Sequence, residues 1–299
     1  MVERGPSITI TDKSHGIPFS KGLLAQSLTA TGLPPRQAYE VAAAIQDDLR
    51  ARDELSLSSD HLREIAAEYL QRLHGEEYAR RYLRIREVGK LDRPLVVLIG
   101  GTTGVGKSTI ATEVAHRLGI TRISSTDSIR EVMRGIFSED LMPALHQSAF
   151  DAWKGLRVPV PQGANPVIVG FREQTAVVTS GVKSLIDRAL TEGMSMVVEG
   201  IHLVPGYIDS SVFENARVVQ LVIGVDDEQS HLSHFYIREV QTEGSRPLER
   251  YRSGFESIRV LGGYIEELAR EHDIPVIYSH QLDRTVADVL EHVITKAIE

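Results

Sequence analysis

The chain has 299 residues, a formal net charge of −8 and no cysteine. That length predicts one full α/β domain with a smaller accessory module. The missing cysteines exclude disulfides, thiolate metal sites and cysteine nucleophiles, and the acidic balance argues against a nucleic-acid partner, whose phosphates call for clustered Lys and Arg.

Charge is balanced over the first 93 residues, so the remainder carries the whole net negative charge. An anion site in that remainder must be made locally, by a few placed cations and by backbone N–H groups. No apolar run reaches membrane-spanning length, and Met1 to Gly5 lacks the charged-then-apolar order of a secretion signal. A cytoplasmic location without a membrane partner is expected.

In chain order, Ser7-Ile8-Thr9-Ile10-Thr11 alternates as a short strand does, and a turn is expected from His15 through Gly16 and Pro18 to Phe19. Apolar residues at helical spacing predict helices over 21–29, 35–52, 60–73 and 76–88, broken at Gly32-Leu33-Pro34 and at Ser56-Leu57-Ser58. The last of these presents Arg80, Arg81, Arg84 and Arg86 and stops at Gly89. Residues 1–92 therefore read as a small, mainly helical domain.

After Pro94 comes Leu95-Val96-Val97-Leu98-Ile99, the continuous apolar run of a strand buried on both faces of a parallel sheet. Further strands are expected at 121–124, 195–199, 218–223 and 275–278, alternating with helical patterns such as 173–190 and 284–297. Residues 93–299 thus predict an α/β domain with a doubly wound parallel sheet, its ligand crevice beyond the carboxyl ends of the strands. Residues 226–259 form a polar insertion holding Arg238, Arg246, Arg250, Arg252 and Arg259. It reads either as a lid over the crevice or as a solvated helical face.

Directly after the first of these strands stands Gly101-Thr102-Thr103-Gly104-Val105-Gly106-Lys107-Ser108, followed by Thr109 at the start of a helix. With a glycine-rich turn that binds nothing as the alternative, this is a full match to the G-x-x-x-x-G-K-S/T phosphate-binding P-loop. Its glycines let successive N–H groups face an anion at a helix N-terminus, Lys107 reaches the β- and γ-phosphates, and the Ser108 hydroxyl can bind Mg²⁺. No Asn-Lys-x-Asp guanine motif occurs, so ATP is expected. Glu199, closing Met196-Val197-Val198, is the expected acid on the metal side, acting directly or through water. A solvated strand-end carboxylate is the alternative. No His/Asp/Glu cluster has metal-cage spacing, so Mg²⁺ would arrive with the nucleotide.

A phosphotransferase also needs a group beside the acceptor hydroxyl. In Thr126-Asp127-Ser128-Ile129-Arg130, Asp127 would sit at the crevice mouth with Arg130 one turn on. Alternatively Asp127 or Ser128 caps the helix, with Glu131 completing a capping box. Arg134, His202, Arg238, Arg246 and Arg250 are further candidates for the substrate and lid. His146 and His202 each read either as a hydrogen-bonding group for a substrate carboxylate or phosphate or as a structural histidine, and Trp153 reads as core or a wall of the acceptor pocket, with core the expectation.

Three strings carry a resemblance: the P-loop with its following Thr109, then Ser-Thr-Asp-Ser-Ile-Arg-Glu-Val-Met-Arg at 125–134, then Val-Glu-Gly-Ile-His-Leu-Val-Pro-Gly at 198–206. They resemble the 2-phosphoglycerate kinase family. Leu145 to Trp153, Gly170 to Gln174 and Arg246 to Tyr251 extend the likeness over nearly the whole chain. The stretch from Gly16 to Leu24 is similar to the ATP-cone module that accompanies this family. Asp12-Lys13-Ser14-His15-Gly16 departs from the usual Lys-Arg-Asp-Gly opening there, leaving a regulatory nucleotide site and a purely structural domain both open.

The resemblance implies transfer of the ATP γ-phosphoryl group to the 3-hydroxyl of 2-phosphoglycerate. Lys107 and backbone amides would hold phosphates, Ser108 and Glu199 would serve Mg²⁺, Asp127 would take or orient the hydroxyl, and Arg130 with lid arginines would bind the acceptor phosphate. Competing expectations are a P-loop kinase for another small or polynucleotide hydroxyl, and a non-catalytic ATP-responsive regulator.

Overall fold

The architecture comes from a computed structural model that describes residues 7–12, 15–209, 211, 213–241 and 248–299. Lys13, Ser14, Arg246 and Pro247 lie outside the described residues, as do the side chains of Asp12, His15 and Arg238. Contacts divide the chain into two units, one formed by the chain up to Lys90 with His116–Gly119 and Ile298, the other by the rest.

The first unit runs β1 (Thr9–Asp12), β2 (His15–Pro18), α1 (Lys21–Thr29), α2 (Pro35–Ala51), β3 (Ser56–Ser58), α3 (Ser59–His74) and α4 (Glu76–Val88). One face of α2 buries Ala38, Val41, Ala42, Ile45 and Leu49 against Ile65, Tyr69 and Leu70 of α3, with Leu28 and Tyr82 closing the core. Serines set two of the helix starts: Ser20 Oγ accepts from the Leu23 N–H at 3.3 Å and Ser58 Oγ from that of His61 at 3.1 Å.

Two of the expectations fail here. The turn expected from His15 is strand β2, antiparallel to β1, and the break at 56–58 is strand β3, parallel to β1, in the order β2-β1-β3. Gly16 and Pro18 look like turn residues, but β2 is an edge strand, where a proline without an N–H costs no ladder bond. Strands of three or four residues are also too short to show a period.

The second unit runs β4 (Leu95–Gly100), α5 (Lys107–Leu118), β5 (Arg122–Ser125), α6 (Thr126–Ile136), two 3-10 turns (Pro143–His146 and Ala149–Gly155), α7 (Pro166–Thr191), β6 (Met196–Glu199) and β7 (Arg217–Gly224). Then come α8 (Glu228–Gln241), α9 (Leu248–Ser253), α10 (Phe255–Glu271), β8 (Val276–Tyr278) and α11 (Leu282–Ile298). The five strands pair in parallel, in the order β5-β6-β4-β7-β8. This is the doubly wound sheet the alternating pattern predicts. Every residue of β4 is buried, with Val96 and Leu98 packed in one cluster with Val178, Val182 and Ile186 of α7. A second cluster joins Val222 of β7 to Ile258, Leu261 and Ile265 of α10 and to Phe171 and Phe235.

Trp153 departs from the expected core position, being 39% exposed. The backbone is what packs there: a Cβ on Gly170 of α7 would lie 2.4 Å from the Trp153 backbone, so glycine lets the 3-10 turn seat against the helix. Within the insertion, Arg259 donates from its guanidinium to the carbonyls of Val225 at 2.7 Å and Asp226 at 3.1 Å. It anchors the root of the insertion. Among the described residues, no helix is long and apolar enough to cross a membrane.

Gly200 sits at the junction of strand β6 with helix α6. Its φ is 148°, and a Cβ there would lie 1.9 Å from Thr126 Oγ1. Gly200→Ala is expected to cost roughly 2 kcal/mol or more and to lower the melting temperature by about 5 °C; an unchanged thermal midpoint would show that the two elements can separate freely.

Candidate functional site

The P-loop follows β4 where the backbone must curl tightly. Gly101, Gly104 and Gly106 have φ of 128°, 89° and 89°, a region that only glycine enters without strain. Close approach adds a second demand, because a Cβ on Gly101 would lie 2.3 Å from the Ile223 carbonyl and one on Gly104 would lie 2.4 Å from the Phe235 ring. The cradle is closed on its outer side by neighbouring strand and helix. Thr102 Oγ1 donates to the Ile258 carbonyl at 3.0 Å, which ties the loop to α10.

Lys107 is buried, with its ammonium donating to the Thr102 carbonyl at 2.6 Å. Burial lowers its pKa, while the negative charges of Glu199 and Asp127 oppose that shift. Among the described residues, no carboxylate lies within ion-pair distance of it. A buried cation that leans on a single carbonyl oxygen is a group built to receive an anion. Ser108 Oγ donates to Glu199 Oε1 at 2.9 Å, and Glu199 is itself buried, so the solvated strand-end alternative does not hold. These two hard oxygens, next to a loop that presents N–H groups, fit a Mg²⁺ ion carried in with nucleotide phosphates. Among the described residues, no cluster of three or more His, Asp or Glu side chains could cage a metal ion.

On the acceptor side, Ser125 of β5 stands opposite Glu199 of β6. Ser125, and not Asp127 or Ser128, caps α6, its Oγ accepting from the Ser128 N–H at 3.1 Å. The expected capping box is absent, because Glu131 pairs with Arg130 at 2.7 Å and with Arg134 at 3.3 Å. Asp127 in the first turn is thereby left with a side chain 68% exposed and 4.0 Å from Arg130 Nε. Arg130 donates to the carbonyls of Leu145 at 2.9 Å and Gln147 at 3.3 Å, so part of its hydrogen-bonding capacity is spent on the 3-10 turns. Arg134 stays at the surface.

His202 is fully buried, with its two ring nitrogens on Thr126 and Gln174 at 2.9 and 2.8 Å. Both ring nitrogens are therefore engaged by the protein itself. His146 is structural as well, its Nε2 lying 2.9 Å from the Phe137 carbonyl. Of the lid arginines, Arg250 is exposed on α9, Arg246 lies outside the described residues, and the Arg238 side chain is not among those described.

Two residues of the insertion do reach the P-loop. His231 Nε2 lies 2.7 Å from the Thr103 carbonyl and His234 Nδ1 lies 3.0 Å from that of Gly104. His231 stacks on Phe235, and Phe235 on Tyr251. Sequence reading passes over this pair, although its spacing of three puts both rings on one helical face.

No protein-family model matches the chain. Curated relatives of the chain carry the name 2-phosphoglycerate kinase. That of Methanopyrus kandleri is 40% identical over 98% of this chain and 88% of its own length. The relative from Methanocaldococcus jannaschii is 42% identical over 98% and 92% respectively, and that from Pyrococcus horikoshii 35% identical over 100% and 95%. Among solved structures, a shikimate kinase from Acinetobacter baumannii in complex with shikimate aligns at a TM-score of 0.39 and 17% identity, over 70% of this chain and 97% of that one.

Burial holds both His202 and His231 neutral and pushes their pKa values down to about 4, against 6.5 when unfolded. The unfolded chain thus binds more protons in between, and the stability present above about pH 6.5 is lost as pH falls toward about 4. At pH 5 the loss is about 2 kcal/mol per histidine. Denaturant midpoints should fall between pH 7 and pH 5 in the wild type and less steeply in His231→Gln; equal slopes for the two proteins would remove His231 from the account.

Proposed function

The chain belongs to the 2-phosphoglycerate kinase family, and from that premise we propose that it moves the γ-phosphoryl group of ATP to the 3-hydroxyl of 2-phosphoglycerate, giving 2,3-bisphosphoglycerate and ADP. The observation that carries the reading is the set of groups at one sheet edge: the P-loop with its buried Lys107, the Ser108 to Glu199 bond, and the uncapped Asp127 carboxylate. Phosphoryl transfer asks a protein mainly for positioning and charge, and this set supplies both.

In the proposed mechanism the amides of Gly104 to Ser108 and the helix N-terminus hold the β- and γ-phosphates. Lys107 exchanges the Thr102 carbonyl for phosphate oxygens, so its charge is delivered where the transferring group becomes most negative. Ser108 and Glu199 would hold Mg²⁺, which supplies charge neutralisation across the phosphates when bound. Asp127 accepts the proton of the acceptor hydroxyl or aligns its oxygen with the γ-phosphorus. Arg130 lies one turn away and directs its remaining N–H groups toward the phosphate already on the acceptor, with exposed arginines such as Arg250 adding charge from the insertion. His202 is left out of substrate contact.

We also propose that residues 1–92 form a separate ATP-cone-like domain ahead of a kinase domain over 93–299. In support, the first unit has its own hydrophobic core between Ile8 and Tyr82.

With Mg-ATP present, ADP release should be stimulated by 2-phosphoglycerate and far less by 3-phosphoglycerate, glycerate or an oligonucleotide. Stimulation by one of the other acceptors instead would keep the kinase and discard this substrate. Asp127→Asn should lower kcat by about 10² to 10⁴-fold while ATP affinity stays within a few-fold of wild type; unchanged turnover would remove Asp127 from the reaction.

A further inference from the structure

A buried polar chain, used by no step above, runs behind the acceptor side. Thr126, Gln174 and His202 are each 0% exposed. The amide nitrogen of Gln174 donates to the carbonyl of Gln147 at 3.1 Å and also to that of Ala144. A flipped amide would push its oxygen against both carbonyl oxygens, so the nitrogen is fixed on that side and Gln174 Oε1 must face His202. His202 Nε2 lies 2.8 Å from that oxygen and therefore carries the ring proton. A neutral imidazole protonated at Nε2 has only a lone pair at Nδ1, which takes the hydrogen of the Thr126 hydroxyl at 2.9 Å. Each donor and acceptor in the chain has one direction.

Its two ends meet the groups that the reaction needs. Thr126 is the first residue of α6 and immediately precedes Asp127. Behind it, Thr126 Oγ1 packs directly on Gly200, where a Cβ would lie 1.9 Å away, so only glycine there leaves space for the hydroxyl. At the other end, the Gln147 carbonyl that accepts from Gln174 also accepts from Arg130 at 3.3 Å. One carbonyl thus joins the buried chain to the arginine beside Asp127, and α6 is held at its first turn and again one turn later.

We propose that Thr126, His202 and Gln174 are positioning residues that set the placement of Asp127 and Arg130 toward the acceptor, an inference that rests on the kinase reading above. None of the three touches a substrate. Loss of the Thr126 hydroxyl leaves the Nδ1 lone pair of His202 without a donor and unties the ring from the first turn of α6, while Gln174 Oε1 still holds the proton on Nε2. The ATP side hangs on Thr102, Lys107 and Ser108 and has no bond to this chain among the described residues, so the effect should be confined to the acceptor.

The test compares Thr126→Val, which keeps the shape, with Thr126→Ser, which keeps the hydroxyl, in the full chain and alongside the wild type. For Thr126→Val, KM for 2-phosphoglycerate should rise about tenfold or more while KM for ATP stays within about twofold; Thr126→Ser should remain near wild type. Nitrogen-15 NMR of histidine-labelled protein should show His202 protonated at Nε2 in all three proteins, with the unprotonated Nδ1 resonance shifted in Thr126→Val by the loss of its hydrogen bond and unshifted in Thr126→Ser. A parallel rise in both KM values, or a serine variant as impaired as the valine one, would overturn the positioning role. A wild type silent toward 2-phosphoglycerate would overturn the kinase reading and the acceptor role together. The NMR arm needs no substrate, so a His202 protonated at Nδ1 would separately overturn the chain of bonds itself.

Discussion

Three residues on adjacent strands stand side by side, and the site depends on that register: Ile99 pairs with Glu199, and Glu199 with Ser125. Parallel strands end on the same edge, so the segments leaving Ile99, Glu199 and Ser125 are delivered to one place. The P-loop leaves the first, Gly200 and the buried histidine the second, and α6 with Asp127 the third. A slip of one residue in β6 would turn Glu199 to the opposite face of the sheet and break its bond to Ser108.

Close backbone approach makes this convergence possible. Gly101 passes the Ile223 carbonyl and Gly200 passes the Thr126 hydroxyl at distances that exclude a side chain. Both are held at positive φ, so the same residue type answers a steric and a conformational demand. Glycine is required there by the neighbouring strand or helix as much as by the turn itself.

Buried charge is handled differently on the two sides. On the side proposed for the nucleotide a cation, Lys107, is kept out of water on the Thr102 carbonyl with, among the described residues, no carboxylate at ion-pair distance, an arrangement that favours an arriving anion. Behind the acceptor side the buried groups are neutral and fully directed, with His202 held uncharged between a hydroxyl and an amide. The first arrangement stores binding capacity. The second stores geometry, since a directed hydrogen-bond chain resists rearrangement without adding field.

Local patterns are strong where one segment carries its own reason. The P-loop spelling, the five strand segments of the second unit and the helical spacing of α2, α3 and α11 were each legible, because period and turn chemistry act over a few neighbouring residues. Asp127 and Glu199 were legible as candidates by their place after strands. What the spelling could not decide is the choice among neighbouring candidates, with Ser125 rather than Asp127 or Ser128 capping α6, and the long-range contacts, with His231 and His234 of the insertion reaching P-loop carbonyls and His202 turned inward to Gln174. The short strands β2 and β3 and the outward Trp153 belong to the same class. By itself the sequence determined most of the element types and the P-loop spelling; only the tertiary structure decided which polar side chains are bonded within the protein and which stay exposed, because that depends largely on carbonyls and hydroxyls brought in from residues tens of positions away.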